Sequence, residues 1–202
     1  MSAQEKLIMI EYALRYAAIG WAVLPVSTDS KGPIGQLTPH GVKDATADPA
    51  TIRDWWTARP DANIGVACGE PSGIVVLDLD ARSGGIEFYE AMVEENGGVL
   101  PEGVFESHTG GGGFHYFFRF NGERKSVIAP GCEVISTGGY IVVPPSVHPT
   151  TGNRYEWELS SSPIEDHENS EPTSDARLAG GDGAESAADI FGLFAPATAI
   201  AV

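Results

Sequence analysis

The sequence predicts an α+β fold, with helices flanking a mixed, mainly antiparallel sheet. Short apolar runs bounded by Gly, Pro and Asn recur through residues 21–158, and only two or three helical stretches interrupt them. The turns between runs are glycine-rich, as hairpins require, and no internal repeat is visible.

Taken in order, residues 4–19 have Leu7, Ile10 or Glu11, Leu14 and Ala17/Ala18 at the spacing of an amphipathic helix, and Gly20 ends the segment. Trp21 to Val26 is a short strand ending at a proline, followed by a Gly/Pro/Ser/Thr loop to about residue 47. Asp48-Pro49 opens a helix, with Asp as N-cap and Pro in the first turn, leading to Trp55-Trp56. Residues 63–68 and 74–80 are strands joined by a Gly-Glu-Pro-Ser-Gly turn. Residues 86–95 form a helix that stops at Asn96-Gly97-Gly98. Strands 104–108 and 114–120 flank a run of four glycines, and residues 134–135, 140–143 and 154–158 read as further strands in hairpin connection.

At 202 residues the chain is long enough for one domain with a real core and an extra segment. The expected division is a domain over residues 1–159 and an acidic, disordered tail or linker over residues 160–202, within which residues 187–194 could form a short partner-binding element. That tail holds eight acids and one base, Arg177, leaving twenty acids and eleven bases in residues 1–159, a net charge of −9. An acidic body argues against broad electrostatic capture of duplex nucleic acid, so nucleic-acid contact needs a local basic groove or bound metal. No apolar run is long enough for a transmembrane helix and the first residues lack the order of a secretory signal. Cys68 and Cys132 are isolated, without zinc spacing. Reduced thiols, no membrane association and a cytoplasmic location are expected.

Asp78-Leu79-Asp80 closes the apolar run Gly73 to Leu77. Two acids two residues apart on a strand share a face, and neighbouring like charges call for compensation, which a divalent cation supplies. A solvated strand end accounts for two acids as well, so neighbouring features decide. His115 follows Gly110, Gly111, Gly112 and Gly113 and begins an aromatic strand; glycine amides and an imidazole suit a phosphate, and a plain hairpin turn suits them equally. Glu133 could add a third carboxylate to an oxygen-rich cage for Mg²⁺ or Mn²⁺. Val143-Pro144-Pro145-Ser146-Val147-His148-Pro149 is a rigid turn whose hydroxyl and imidazole could line a site or simply reverse the chain.

In their order these features resemble the primase-polymerase (Prim-Pol) domain of phage and plasmid replication proteins, within the archaeo-eukaryotic primase superfamily. The resemblance spans roughly residues 8–159. It rests on Gly20-Trp21-Ala22-Val23-Leu24-Pro25, Ser30-Lys31-Gly32-Pro33, His40-Gly41-Val42-Lys43-Asp44-Ala45-Thr46, Trp55-Trp56 and Pro60-Asp61-Ala62-Asn63-Ile64-Gly65-Val66. It continues through Ser72-Gly73 to Asp80, the glycine-histidine turn, and Gly138-Gly139-Tyr140-Ile141-Val142-Val143-Pro144-Pro145-Ser146.

The resemblance implies an RRM-like catalytic core and template-directed nucleotidyl transfer. Asp78, Asp80 and Glu133 would be the catalytic metal ligands, with Glu where relatives more often carry Asp. His115, the four glycines, Lys31, Lys43 and Ser146 would meet the nucleotide. Arg119, Arg124 and Lys125 are the basic candidates for template contact, and a solvated charge cluster explains them too. Implied partners are single-stranded DNA, (d)NTPs and a replicative helicase in cis or in trans; no GxxxxGK[ST] loop occurs in this chain. Two rival readings stand beside it. One is a nucleotide or single-strand binding module without catalysis, with Trp55, Trp56 and Tyr140 as stacking candidates. The other is a metal-dependent nuclease using the same carboxylates.

Overall fold

The computed structural model describes residues 3–95, 105–122, 124–159 and 162–164. The stop at Asn96-Gly97-Gly98, the first residue of the strand expected at 104, and nearly all of the expected tail, residues 187–194 included, lie outside the described residues.

The fold is α+β, with three helices and two antiparallel sheets among the described residues where the sequence suggested one sheet. The smaller sheet has the order β1-β2-β8, from β1 (Val23–Val26), β2 (Asn63–Ala67) and β8 (Tyr140–Val142). The larger has the order β6-β7-β3-β5-β4-β9. Its strands are β3 (Ile74–Leu79), β4 (Phe105–His108), β5 (Phe114–Arg119), β6 (Ser126–Ala129), β7 (Cys132–Ile135) and β9 (Glu156–Trp157). The hairpin connection expected among residues 134–158 is therefore corrected. β7 pairs with β3 and β6, β8 with β2, and β9 with β4, because the chain changes sheet after Ile135.

Helix α1 (Ala3–Ala18) buries Met9, Ala13, Tyr16 and Ala17, one helical face, while Ile10 and Leu14 only flank it. The face is turned from Ile10 and Leu14 by an aromatic stack: Tyr16 lies flat on Trp21 at 5.5 Å, and Trp21 lies flat on Phe117 at 5.6 Å. Helix α2 (Pro49–Ala58) starts as its sequence dictates, the Asp48 carboxylate accepting from the Thr51 backbone N–H at 2.9 Å. Asp48→Ala is expected to lower stability by about 1 kcal/mol, read as a lower denaturation midpoint with unchanged slope.

One face of β3, β5 and β7 (Ile74, Val76, Phe117, Ile135) joins α1, α2 and residues of the smaller sheet in the main core. The opposite face (Val75, Leu77, Leu79, Phe118, Val134) is covered by Tyr89 and Met92 of helix α3 (Gly85–Glu95). Both faces of β3 are thus buried until Asp78. Ile164 packs into the main core as well, beyond residue 159.

Candidate active site

Strand pairing builds the site. In β3 the Val76 row, Ile135–Val76–Phe117, belongs to the main core. Two residues on, period-two alternation puts Asp78 on that same face, and its partners in register are Glu133 of β7 and His115 of β5. Directly opposed residues in an antiparallel pair project to one side with Cβ atoms about 4.5–5.5 Å apart. The row continues outward to Val127 of β6 and to Ser107 and Trp157 of β4 and β9. A polar triplet therefore begins where the apolar core ends.

His115 is buried, and its Nε2 lies 3.5 Å from Asp78 Oδ1. Burial raises the Asp78 pKa, but the hydrogen bond and charge of His115 and the charge of Lys31 outweigh it and leave the carboxyl below its ordinary range. Asp78 is therefore an anion at neutral pH. Gly113 makes the close approach of β5 possible: a Cβ there would sit 2.0 Å from the Leu79 carbonyl oxygen.

Asp80 lies just past β3, its backbone N–H donating to the Gly131 carbonyl at 2.7 Å. Its carboxylate caps the 3-10 turn Ala81–Ser83, accepting from the Arg82 backbone N–H at 2.9 Å, with Arg82 Nε 3.4 Å away. Lys31 is a non-glycine residue with a left-handed backbone, φ 41°, and its carbonyl accepts from Tyr140 Oη at 2.7 Å. Its Nζ sits 6.0 Å over the Tyr155 ring. Partial burial lowers the Lys31 pKa and Arg82 adds to this, while Asp78 and Asp80 oppose it. Arg82 and Tyr155 escaped the sequence reading, although the position of Arg82 two residues after Asp80 was a usable signal.

The glycine turn is largely self-bonded. Thr109 accepts from the amides of Gly112 (backbone oxygen, 2.9 Å) and Gly113 (Oγ1, 2.9 Å), and its own N–H donates to the Gly113 carbonyl. Gly110 is packed against the His148 Cβ and the Asn153 carbonyl, and Gly111 lies beside His148 Nε2. Three buried polar atoms around this turn have no hydrogen-bond partner: Ser107 Oγ, His115 Nδ1 and His148 Nε2.

The other sequence candidates fall elsewhere. Ser146 is wholly buried and its Oγ accepts from the Ile64 N–H at 2.9 Å, tying the Pro-Pro turn to β2. Lys43 is exposed on the 3-10 turn Gly41–Asp44 and is not among the charges that reach Asp78. Arg119 pairs with Ile74, at the end of β5 remote from His115. Arg124 and Lys125 are exposed just before edge strand β6, next to the strand that carries Glu133. Trp55 and Trp56 are core residues, withdrawn from any base. Burial raises both thiols, Cys132 to about 11, which makes neither a thiolate nucleophile nor a ready metal ligand.

The donors Asp78, Glu133 and Asp80 are hard oxygens suited to Mg²⁺ or Mn²⁺. Adjacent Asp78 and Glu133 repel each other, which a dication would relieve. Among the described residues, however, no three His, Cys, Asp or Glu side chains already converge as a metal-holding group. Asp80 accepts the Arg82 N–H on Oδ1 and keeps lone pairs that a cation could use.

Fold and site together define an antiparallel α+β domain with an acid-histidine row at the open end of its larger sheet. Residues 13–170 match the family model described as bifunctional DNA primase/polymerase, N-terminal (Prim-Pol), and the chain belongs to that family. No curated protein matches it.

Proposed function

We infer that this domain performs template-directed nucleotidyl transfer, extending or initiating chains from (d)NTPs on single-stranded DNA during phage or plasmid replication. The observation that carries the reading is the register Glu133–Asp78–His115 across three adjacent strands, two carboxylates and an imidazole on one face at the edge of the core. Asp78, Glu133 and Asp80 would hold Mg²⁺ or Mn²⁺, whose charge would lower the pKa of an attacking 3′-hydroxyl and neutralise a pyrophosphate leaving group.

The chain's own groups do the rest. His115, held beside Asp78, orients the phosphates, and Lys31 brings a positive charge to the same mouth. Arg124 and Lys125, exposed before the β6 edge, would meet a template backbone. That no three-ligand group is preassembled among the described residues favours a second reading, a nucleotide-binding module without turnover.

One assay separates them: the full chain with a single-stranded template, labelled dNTPs or NTPs, and Mg²⁺, Mn²⁺ or chelator. Product that requires both template and divalent ion supports the enzyme. Nucleotide binding without product supports the module, and degradation of labelled DNA without nucleotides supports a nuclease.

A further inference from the structure

Ser107 sits in the acid-histidine row, and the reading above gives it no task. Strand β5 runs between β3 and β4, so His115 has Asp78 directly opposite on one side and Ser107 directly opposite on the other. Ser107 is wholly buried, yet its Oγ has no hydrogen-bond partner, and the same holds for the buried His115 Nδ1. Folded proteins rarely leave a buried polar atom unpaired, and here two of them stand on facing residues.

The orientation of the imidazole turns one orphan toward the other. Nε2 lies 3.5 Å from Asp78 Oδ1, so the Nε2–Cδ2 edge of the ring faces β3. Nδ1 belongs to the opposite edge and is turned toward β4, where Ser107 is the residue in register. An ionised carboxylate only accepts, so a neutral His115 facing Asp78 carries its proton on Nε2 and needs a donor at Nδ1. A serine hydroxyl is such a donor. Directly opposed residues have Cβ atoms about 4.5–5.5 Å apart, a gap that one O–H···N bond spans once the hydroxyl takes the right staggered position. On its other side Ser107 is opposite Trp157, whose single side-chain N–H already goes to Tyr16 Oη at 2.8 Å and which offers no acceptor.

We propose that Ser107 is a positioning residue: its hydroxyl, by rotation about its own Cα–Cβ bond, donates to His115 Nδ1 and keeps the imidazole proton on Nε2, at the Asp78 side of the ring. Without that bond the ring can flip or change tautomer, and either event withdraws the Nε2 donor from the mouth of the site. The inference deepens the nucleotidyl-transfer reading and rests on it for what His115 then does, whereas the pairing of Ser107 with His115 stands apart from it.

The test uses the full chain in mildly alkaline buffer, where imidazoles are neutral. Nitrogen NMR follows the histidine rings, and the His115 signals are assigned by their loss in His115→Gln. Wild type is expected to show a single tautomer, with the proton on Nε2 and Nδ1 shifted as a hydrogen-bonded acceptor. Ser107→Ala should lose that acceptor shift and mix the tautomers, and Ser107→Cys, a weaker donor of similar size, should restore part of it. Template-dependent synthesis should fall about 3–10-fold in Ser107→Ala, the range for losing one ordinary hydrogen bond, and recover in part in Ser107→Cys. The wild-type spectrum gives the answer by itself if the Ser107 variants fail to fold.

A wild-type His115 protonated on Nδ1, or a Ser107→Ala spectrum identical to wild type, overturns the pairing. A changed spectrum with undiminished synthesis overturns the positioning role. Failure of the two ideas is distinguishable. Synthesis by wild type with a His115 signal that ignores Ser107 removes the inference and keeps the enzyme; a Ser107-dependent tautomer without synthesis removes the enzyme and keeps the pairing.

Discussion

Asp78→Asn is expected to lower template-dependent synthesis by more than about 100-fold, since loss of even an outer partner of a metal ligand costs about 10–100-fold. The substitution preserves shape and deletes the charge at the centre of the row, leaving Glu133 and His115 opposite a neutral amide. Stability should fall modestly but the fold should persist, because the Asp78 charge is net favoured by His115 and Lys31 and the amide keeps the side chain's shape. Three measurements check this: primer synthesis, the thermal midpoint, and Mn²⁺ binding by calorimetry, which should weaken in parallel with activity. Wild-type synthesis in this variant would take Asp78 out of the machinery and leave the domain a Prim-Pol relative in fold alone.

Phe117→Ala is expected to cost about 3–5 kcal/mol, the largest stability loss among these variants. Phe117 is fully buried, lies flat against Trp21 and tilts against Trp157 at 5.0 Å. Its removal opens a cavity in the stack that joins α1 to the larger sheet. Urea unfolding should show the loss as a lower midpoint. Because Phe117 is two residues from His115 on the same strand face and touches its ring edge-on at 6.2 Å, a drop in synthesis should accompany it even below the unfolding transition. A loss under 1 kcal/mol would mean that the stack repacks and does not brace the site.

Local chemistry was legible in the sequence. Asp48-Pro49 specified the start of α2 because cap and first turn are decided within four residues. Period two needs only one strand, so Asp78 could be placed on the strand, whereas Asp80 lies past the end of β3 as the cap of the next turn. Partnering was not legible, because it is a long-range property. Nothing in residues 132–158 says that β7 joins β3 while β8 leaves for the other sheet. Strand β6 escaped notice because Ser126-Val127-Ile128-Ala129 is short, lies at an edge and leaves Val127 69% exposed, so no strong apolar alternation marks it. Ser146 and His148 are two residues apart on one rigid turn, yet one is bonded to β2 and the other faces the glycine turn. Both are buried polar residues, and composition cannot tell their tasks apart.

The in-register row has a consequence for how this domain tolerates change. Removing one residue from the middle of β5 or β7 would slide that strand by half its pleat, and His115 or Glu133 would then look toward α3. Such a deletion could leave a foldable sheet with its chemistry divided between opposite sides. Length within these three strands should therefore be held more strictly than the identity of most residues in them, while insertions belong in the connections beyond their ends.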